Sequence, residues 1–115
     1  MLRTGAVRAG GTRFGTPPRQ LQGKLEALAA GVRALAARDD VSAVAKAAWA
    51  GYNLLALHPF PDGNGRLARA LVNAVLARGG VPFVVGLAAS EAQRGAYRAA
   101  LVAAHRQVPP LGTEP

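Results

Sequence analysis

The run His58-Pro59-Phe60-Pro61-Asp62-Gly63-Asn64-Gly65-Arg66-Leu67-Ala68-Arg69 gathers an imidazole, a carboxylate, a Gly-Asn-Gly turn and two guanidinium groups within twelve residues. Proton transfer near neutral pH calls for an imidazole, the side chain whose ordinary titration range spans it. His58 directly precedes a proline, which disfavours helix at the residue before it, so a helix leading in must stop there with the imidazole at its end. Gly63-Asn64-Gly65 permits unusual backbone angles and close approach of a ligand, and it runs straight into a helix expected from Arg66. Backbone N–H groups at a helix start, together with the helix dipole, make an anion site. Arg66 and Arg69 are three apart, on one face of the first turn, and guanidinium forks grip phosphate oxygens in bidentate fashion. Asp62 beside such a cradle would repel an anion unless a cation lay between, and Mg²⁺ is commonly held by a carboxylate plus substrate phosphates. Each feature alone has a plain structural explanation, as a helix cap, a turn or a solvated face. Together they describe a nucleoside triphosphate site with a general base beside it.

The elements that must position this run are legible around it. Leu21, Leu25, Leu28, Val32 and Leu35 recur at steps of four and three, an amphipathic helix reaching about Arg38 and slightly weakened by Gly31. Asp39 or Asp40 is available to cap the next helix, which places Val41, Val44, Ala48, Tyr52 and Leu55 on one face and ends near Leu57. Its other positions, such as Ala45, Trp49 and Leu54, are also apolar, so it reads as a central, buried helix. After the polar run, Leu67, Leu71, Ala74 and Val75 continue helically to Arg78, and Gly79-Gly80 end the helix. Pro82 makes residues 81–85 extended, Ser90 is a candidate cap for a last helix to about Gln107, and residues 108–115 read as a frayed tail. At the other end, Val7 and Phe14 flank Gly10-Gly11, a usable two-residue hairpin turn, and Pro17-Pro18 leads into the first helix. The fold class is all-α, a compact helical core over 21–107 behind a short N-terminal β-hairpin within 1–20.

Composition narrows the function. Half of the 115 residues are hydrophobic, enough for a core without staples, and cysteine is absent, which excludes disulfides, thiolate metal sites and cysteine nucleophiles. The apolar stretches break well short of the ~20 residues that span a bilayer, no secretory signal is evident, and a cytoplasmic location is expected. The formal charge is +8, and Arg3, Arg8, Arg13, Arg19 and Lys24 all precede the first acid, Glu26. Such a balance attracts polyanions and leaves a basic helical nucleic-acid-binding module as a rival reading. Against it, aromatic residues make up only 5% of the chain, and the cations do not gather on one recognition helix.

The polar run resembles the signature of the Fic family, H-P-F-x-(D/E)-G-N-G-R-x-x-R, with every fixed position filled. More weakly, RTGAVRAGGTRF followed by PP resembles the family's flap hairpin, AAWAGYNLLALHPF its apolar helix into the signature, and YRAAL its closing helix. The resemblance implies a mostly helical protein that transfers AMP from Mg·ATP to a Ser, Thr or Tyr hydroxyl of a target protein. By position, His58 would be the general base and Asp62 would hold Mg²⁺. Gly63, Asn64 and Gly65 would cradle phosphate oxygens, with Arg66 and Arg69 on the outer phosphates. Pro59 would rigidify the loop and Phe60 would anchor it as a buried ring. The hairpin, with Gly10, Gly11, Thr12 and Arg13 near its tip, would dock an extended stretch of the target by strand addition. Relatives in this family also move UMP, phosphocholine or phosphate, which remain alternatives.

No (S/T)-x-x-x-E-(G/N) inhibitory motif of the family occurs in the sequence. Restraint would then fall to an antitoxin-like partner or to chain beyond this one. The chain also starts almost at the flap, so it reads as a very small protein of this type or as a piece of a larger one. Apolar faces left uncovered would invite a partner or a homodimer. Delivery into a host cell as an effector stays open.

Overall fold

The computed structural model describes residues 1–9 and 12–81, together with the separate positions 95, 99, 102, 106 and 108. Among them lie two short strands, β1 (Val7–Ala9) and β2 (Thr12–Phe14), and three α-helices, α1 (Leu21–Ala36), α2 (Ala43–Leu57) and α3 (Asn64–Arg78). The chain is mostly helical. A single 3-10 turn, Pro18–Gln20, leads into α1 with prolines at its start, where a missing N–H leaves nothing unsatisfied.

β1 and β2 pair antiparallel, with Val7 opposite Phe14, Arg8 opposite Arg13 and Ala9 opposite Thr12. That register leaves Gly10 and Gly11, which lie outside the described residues, between the strands.

α2 packs against both α1 and α3, the central position its apolar composition implies. α1 contributes Leu21, Leu28 and Leu35, buried at steps of seven, with Leu25 and Val32 half-buried beside them. It ends at Ala36, two residues short of expectation, with Ala37 as its C-cap.

The capping expectation needs correction. Ser42 caps α2, its Oγ accepting from the Ala45 amide at 3.1 Å. Asp40 instead receives two bonds from the Arg38 guanidinium, from Nε to Oδ1 at 2.9 Å and from Nη2 to Oδ2 at 2.6 Å. That pairing holds the Asp40 carboxyl below its ordinary range and draws it back toward α1.

Burial does not follow the apolar spacing read along α2 and α3. Val44, Tyr52 and Leu55 are exposed, whereas Ala45, Ala47, Ala48, Trp49, Ala50, Gly51, Asn53, Leu54 and Leu57 are buried. A helix apolar all round gives its periodicity no direction. Five of the buried positions are alanine or glycine, which lets two neighbouring helices approach closely enough for dense packing. Buried Asn53 satisfies its side-chain amide on the Trp49 carbonyl at 2.8 Å.

In α3 the buried stripe is Asn64, Ala68, Val72 and Leu76, while Leu67 and Ala74 are exposed. The helix begins two residues earlier than expected, and its first residue, polar Asn64, sets which side faces inward. Gly79-Gly80 end α3 as expected, with Gly80 in a left-handed conformation.

The extended stretch 81–85 and the last helix lie largely outside the described residues, although positions 95, 99, 102 and 106 are helical. Val108, expected to open a frayed tail, packs against the main apolar cluster.

Candidate active site

α2 delivers His58 as its C-cap residue. His58 takes a left-handed conformation (φ 49°, ψ 60°), while its amide still closes the last helical bond onto Leu54 O at 3.0 Å. A β-carbon is crowded there, and a non-glycine residue in this region stores about 1–3 kcal/mol that neighbouring contacts must offset. Pro59, which follows, is fully buried. Phe60 is only half-buried, so the expected ring anchor is corrected. The loop is held by the Pro59 ring and by the backbone of Phe60, whose amide donates to Asn64 Oδ1 at 3.0 Å and whose carbonyl accepts from Asn64 Nδ2 at 2.8 Å.

Gly63 is the N-cap of α3, left-handed at φ 82°, a conformation that favours glycine. With no side chain there, α3 has no side-chain cap, in contrast to α2 and its Ser42. Its first turn therefore presents amides with no intrahelical partner, the arrangement that attracts anions. Gly65 is an ordinary helical residue rather than a second left-handed one.

Because Asn64 faces inward, Arg66 and Arg69, two and five residues on, are turned outward together. Both side chains lean back over the helix start. A Cβ placed on Gly63 would lie 3.4 Å from Arg66 Nη2, and one on Gly65 would lie 3.4 Å from Arg69 Nη1. Asp62 stands at the rim with its side chain 96% exposed. Its Oδ1 accepts from the Gly63 amide at 2.8 Å, and its Oδ2 lies 4.0 Å from Arg66 Nη2, a loose, solvated pair of little energetic weight.

Among the described residues no group of three or more histidine, cysteine or acidic side chains comes together. A lone exposed carboxylate fits a hard cation that takes its remaining ligands from substrate phosphates and water. Of the hairpin residues expected to dock a target, Thr12 and Arg13 lie on β2.

No pattern in the sequence singles out Arg3. It is 6% exposed, and its guanidinium bonds four backbone carbonyls: Gly5 O at 2.9 Å, Leu57 O at 3.1 Å, and those of Thr16 and His58. Its own amide donates to Pro59 O at 2.9 Å. Neither residue type nor spacing separates Arg3 from the other early cations. The only hint is Pro59, which deprives α2 of a closing amide without saying what replaces it.

The Fic/DOC family model matches residues 2–76, a span covering the hairpin, all three described helices up to Leu76, and the loop of His58. The chain belongs to the Fic/DOC family. Among curated relatives, Protein adenylyltransferase Fic of Nematostella vectensis is 56% identical over 39 residues, 34% of this chain and 9% of the relative. Protein adenylyltransferase fic-1 of Caenorhabditis elegans is 47% identical over 45 residues, 39% of this chain and 9% of the relative. A Fido domain-containing protein of Dictyostelium discoideum is 48% identical over 48 residues, 42% of this chain and 34% of the relative. This Fic/DOC chain thus spans only a small part of the curated relatives it matches. No helix among its described residues is long and apolar enough to cross a membrane.

Proposed function

We propose that this chain carries a protein adenylyltransferase centre, which moves AMP from ATP to a Ser, Thr or Tyr hydroxyl of a target protein. The observation that carries the reading is the uncapped start of α3, with the Arg66 and Arg69 side chains leaning over it and His58 at the end of the preceding helix. The adenylyltransferase names of the two animal relatives support the same reaction class.

The first-turn amides of α3 would hold phosphate oxygens. Because the Asn64 side chain is committed to Phe60, its share in that cradle falls to its backbone N–H. Arg66 and Arg69 would bind the outer phosphates through their guanidinium forks. His58 would take the proton of the acceptor hydroxyl as its oxygen attacks the α-phosphorus. The new oxygen–phosphorus bond forms as the bond from the α-phosphorus to the bridging oxygen breaks, and pyrophosphate leaves with that electron pair. Asp62 would hold Mg²⁺, which neutralises charge on the triphosphate and the departing pyrophosphate. The β1–β2 hairpin would align the target's extended segment beside His58.

Incubation with ATP labelled at the α or the γ phosphate tests the reading. Label should reach protein from the α position only and should vanish with His58→Ala. Transfer from the γ position would overturn it.

A further inference from the structure

The C-terminus of α2 is closed by fewer amides than a helix ordinarily has. When a helix ends in a left-handed residue, that residue and the one after it usually donate back to the last carbonyls. His58 does so, its amide reaching Leu54 O, but Pro59 after it has no N–H. The next amide, that of Phe60, is committed to Asn64 Oδ1. Without other donors the carbonyls of Leu57 and His58 would be left unpaired in a half-buried loop. An orphaned polar group of that kind costs about 1–3 kcal/mol.

Arg3 and Thr16 supply the missing donors. Arg3 Nη2 donates to Leu57 O at 3.1 Å, Arg3 Nε donates to His58 O, and the Thr16 amide donates to Leu57 O at 3.1 Å. The cation also lies at the negative end of the helix dipole, where positive charge is favoured. The remaining bonds of the guanidinium go to Gly5 O, two residues before β1, and to Thr16 O, two residues after β2. One side chain therefore ties both feet of the hairpin to the carbonyl of His58 itself. Gly15 shows how close that junction is. At φ +78°, a Cβ there would meet Arg3 Nη2 at 2.9 Å, His58 Cβ at 3.2 Å and Leu57 O at 3.3 Å.

We infer that Arg3 is the positioning residue of His58. It supplies the donors that Pro59 cannot give to the end of α2 and fixes hairpin and imidazole as one unit, so that a target segment held on the hairpin arrives in register with the base. The bonds use four of the five guanidinium donors, in a forked pattern that the single nitrogen of lysine cannot reproduce. The catalytic half of this inference rests on His58 being the base proposed above. Its geometric half does not.

The test compares Arg3→Ala and Arg3→Lys with the parent chain, using Arg33→Ala on the exposed side of α1 as a charge control. The readouts are kcat and ATP KM for AMP transfer, and the His58 imidazole NMR signal of the nucleotide-free protein, identified by its loss in His58→Asn. Both Arg3 variants should lose about tenfold to a hundredfold in kcat with ATP KM unchanged, as expected when a reacting group is displaced by a fraction of its working distance. The His58 signal should shift in both. Millimolar free guanidinium should restore part of the activity and the signal of Arg3→Ala, but not of Arg3→Lys, whose side chain blocks the slot. Arg33→Ala should match the parent.

If Arg3→Ala does not fold, Arg3→Lys decides. An unmoved His58 signal, or a moved signal with parental kcat, overturns the inference. If the parent transfers no AMP, the adenylyltransferase reading falls separately and the His58 signal alone decides.

Discussion

Asn64 brackets the backbone of Phe60, accepting from its amide at 3.0 Å and donating to its carbonyl at 2.8 Å, so a single buried side chain closes the loop from His58 to α3. Two consequences follow from this pairing. It sets the rotation of α3 that turns Arg66 and Arg69 outward, and it ties the loop that follows α2 to the start of α3.

Asn64→Asp keeps the acceptor but sets a carboxylate oxygen against the Phe60 carbonyl in a site only 3% exposed. A loss of about 1–3 kcal/mol is expected in denaturant unfolding, the usual penalty for an unsatisfied buried group. Burial and the facing carbonyl favour the protonated carboxyl, which regains a donor, so the folded-state pKa of the new group is raised. Its stabilising form is present at low pH and lost as pH rises through that raised value. Asn64→Asp should therefore gain on Asn64→Ala as pH falls. A constant difference between the two across pH would show that the donor to Phe60 O is unimportant.

Gly31→Ala sets two effects against each other. Alanine in a helix interior is favoured over glycine by about 1 kcal/mol. Here, however, its Cβ would lie 2.4 Å from Trp49 Cη2 and 3.1 Å from Cζ3, and Trp49 is a buried core residue. Overpacking of this kind costs about 1–3 kcal/mol. Net destabilisation is expected, with recovery in the double variant Gly31→Ala/Trp49→Phe, whose smaller ring vacates the contact. Thermal melts of the parent, Gly31→Ala, Trp49→Phe and the double variant check it. A Gly31→Ala protein more stable than its parent would mean that the indole moves aside freely.

The signature was legible because its chemistry is concentrated: in a chain half apolar, a histidine, an aspartate, a Gly-Asn-Gly and two arginines within twelve residues are hard to read as surface. The order of the described helices and the central place of α2 followed from apolar spacing and composition. The inward face of α2 did not, since nearly every position is apolar and neighbour packing alone chooses. The cap of α2 is not separable by residue type, because aspartate and serine are comparable caps, and Asp40 is taken up by Arg38 only two residues before it. Arg3 was hidden for the deeper reason that its partners at His58 and Leu57 lie 55 and 54 residues away.

Acid should release the clasp between Arg38 and Asp40. The hydrogen bonds from Arg38 lower the Asp40 pKa in the folded state. The stability they contribute is present above the ordinary carboxylate value and lost as pH falls through the depressed one. Both groups are solvent-exposed, so the effect is small. Asp40→Asn should melt slightly below the parent at neutral pH, and the two should converge in acid. A gap that widens in acid would contradict the pairing.

His58 and Arg69 should separate chemistry from binding. His58 ends α2 and is proposed to touch only the reacting hydroxyl, so His58→Ala should leave ATP affinity intact. Removal of a general base typically slows transfer by about 10²–10⁴-fold. Arg69 leans over the first turn of α3, where the triphosphate is proposed to sit. A hydrogen bond to a charged group contributes about 1.5–3 kcal/mol, so Arg69→Ala should weaken ATP binding by about tenfold or more. Calorimetric titration with ATP, beside single-turnover transfer at saturating ATP, reads the two effects apart. Arg69→Ala should regain much of its rate at saturation, because its deficit lies in holding the nucleotide, whereas His58→Ala should stay slow at every ATP concentration. If His58→Ala lost ATP binding while its transfer step survived at saturation, the imidazole would be a nucleotide ligand and the proton acceptor would have to be sought elsewhere in the chain.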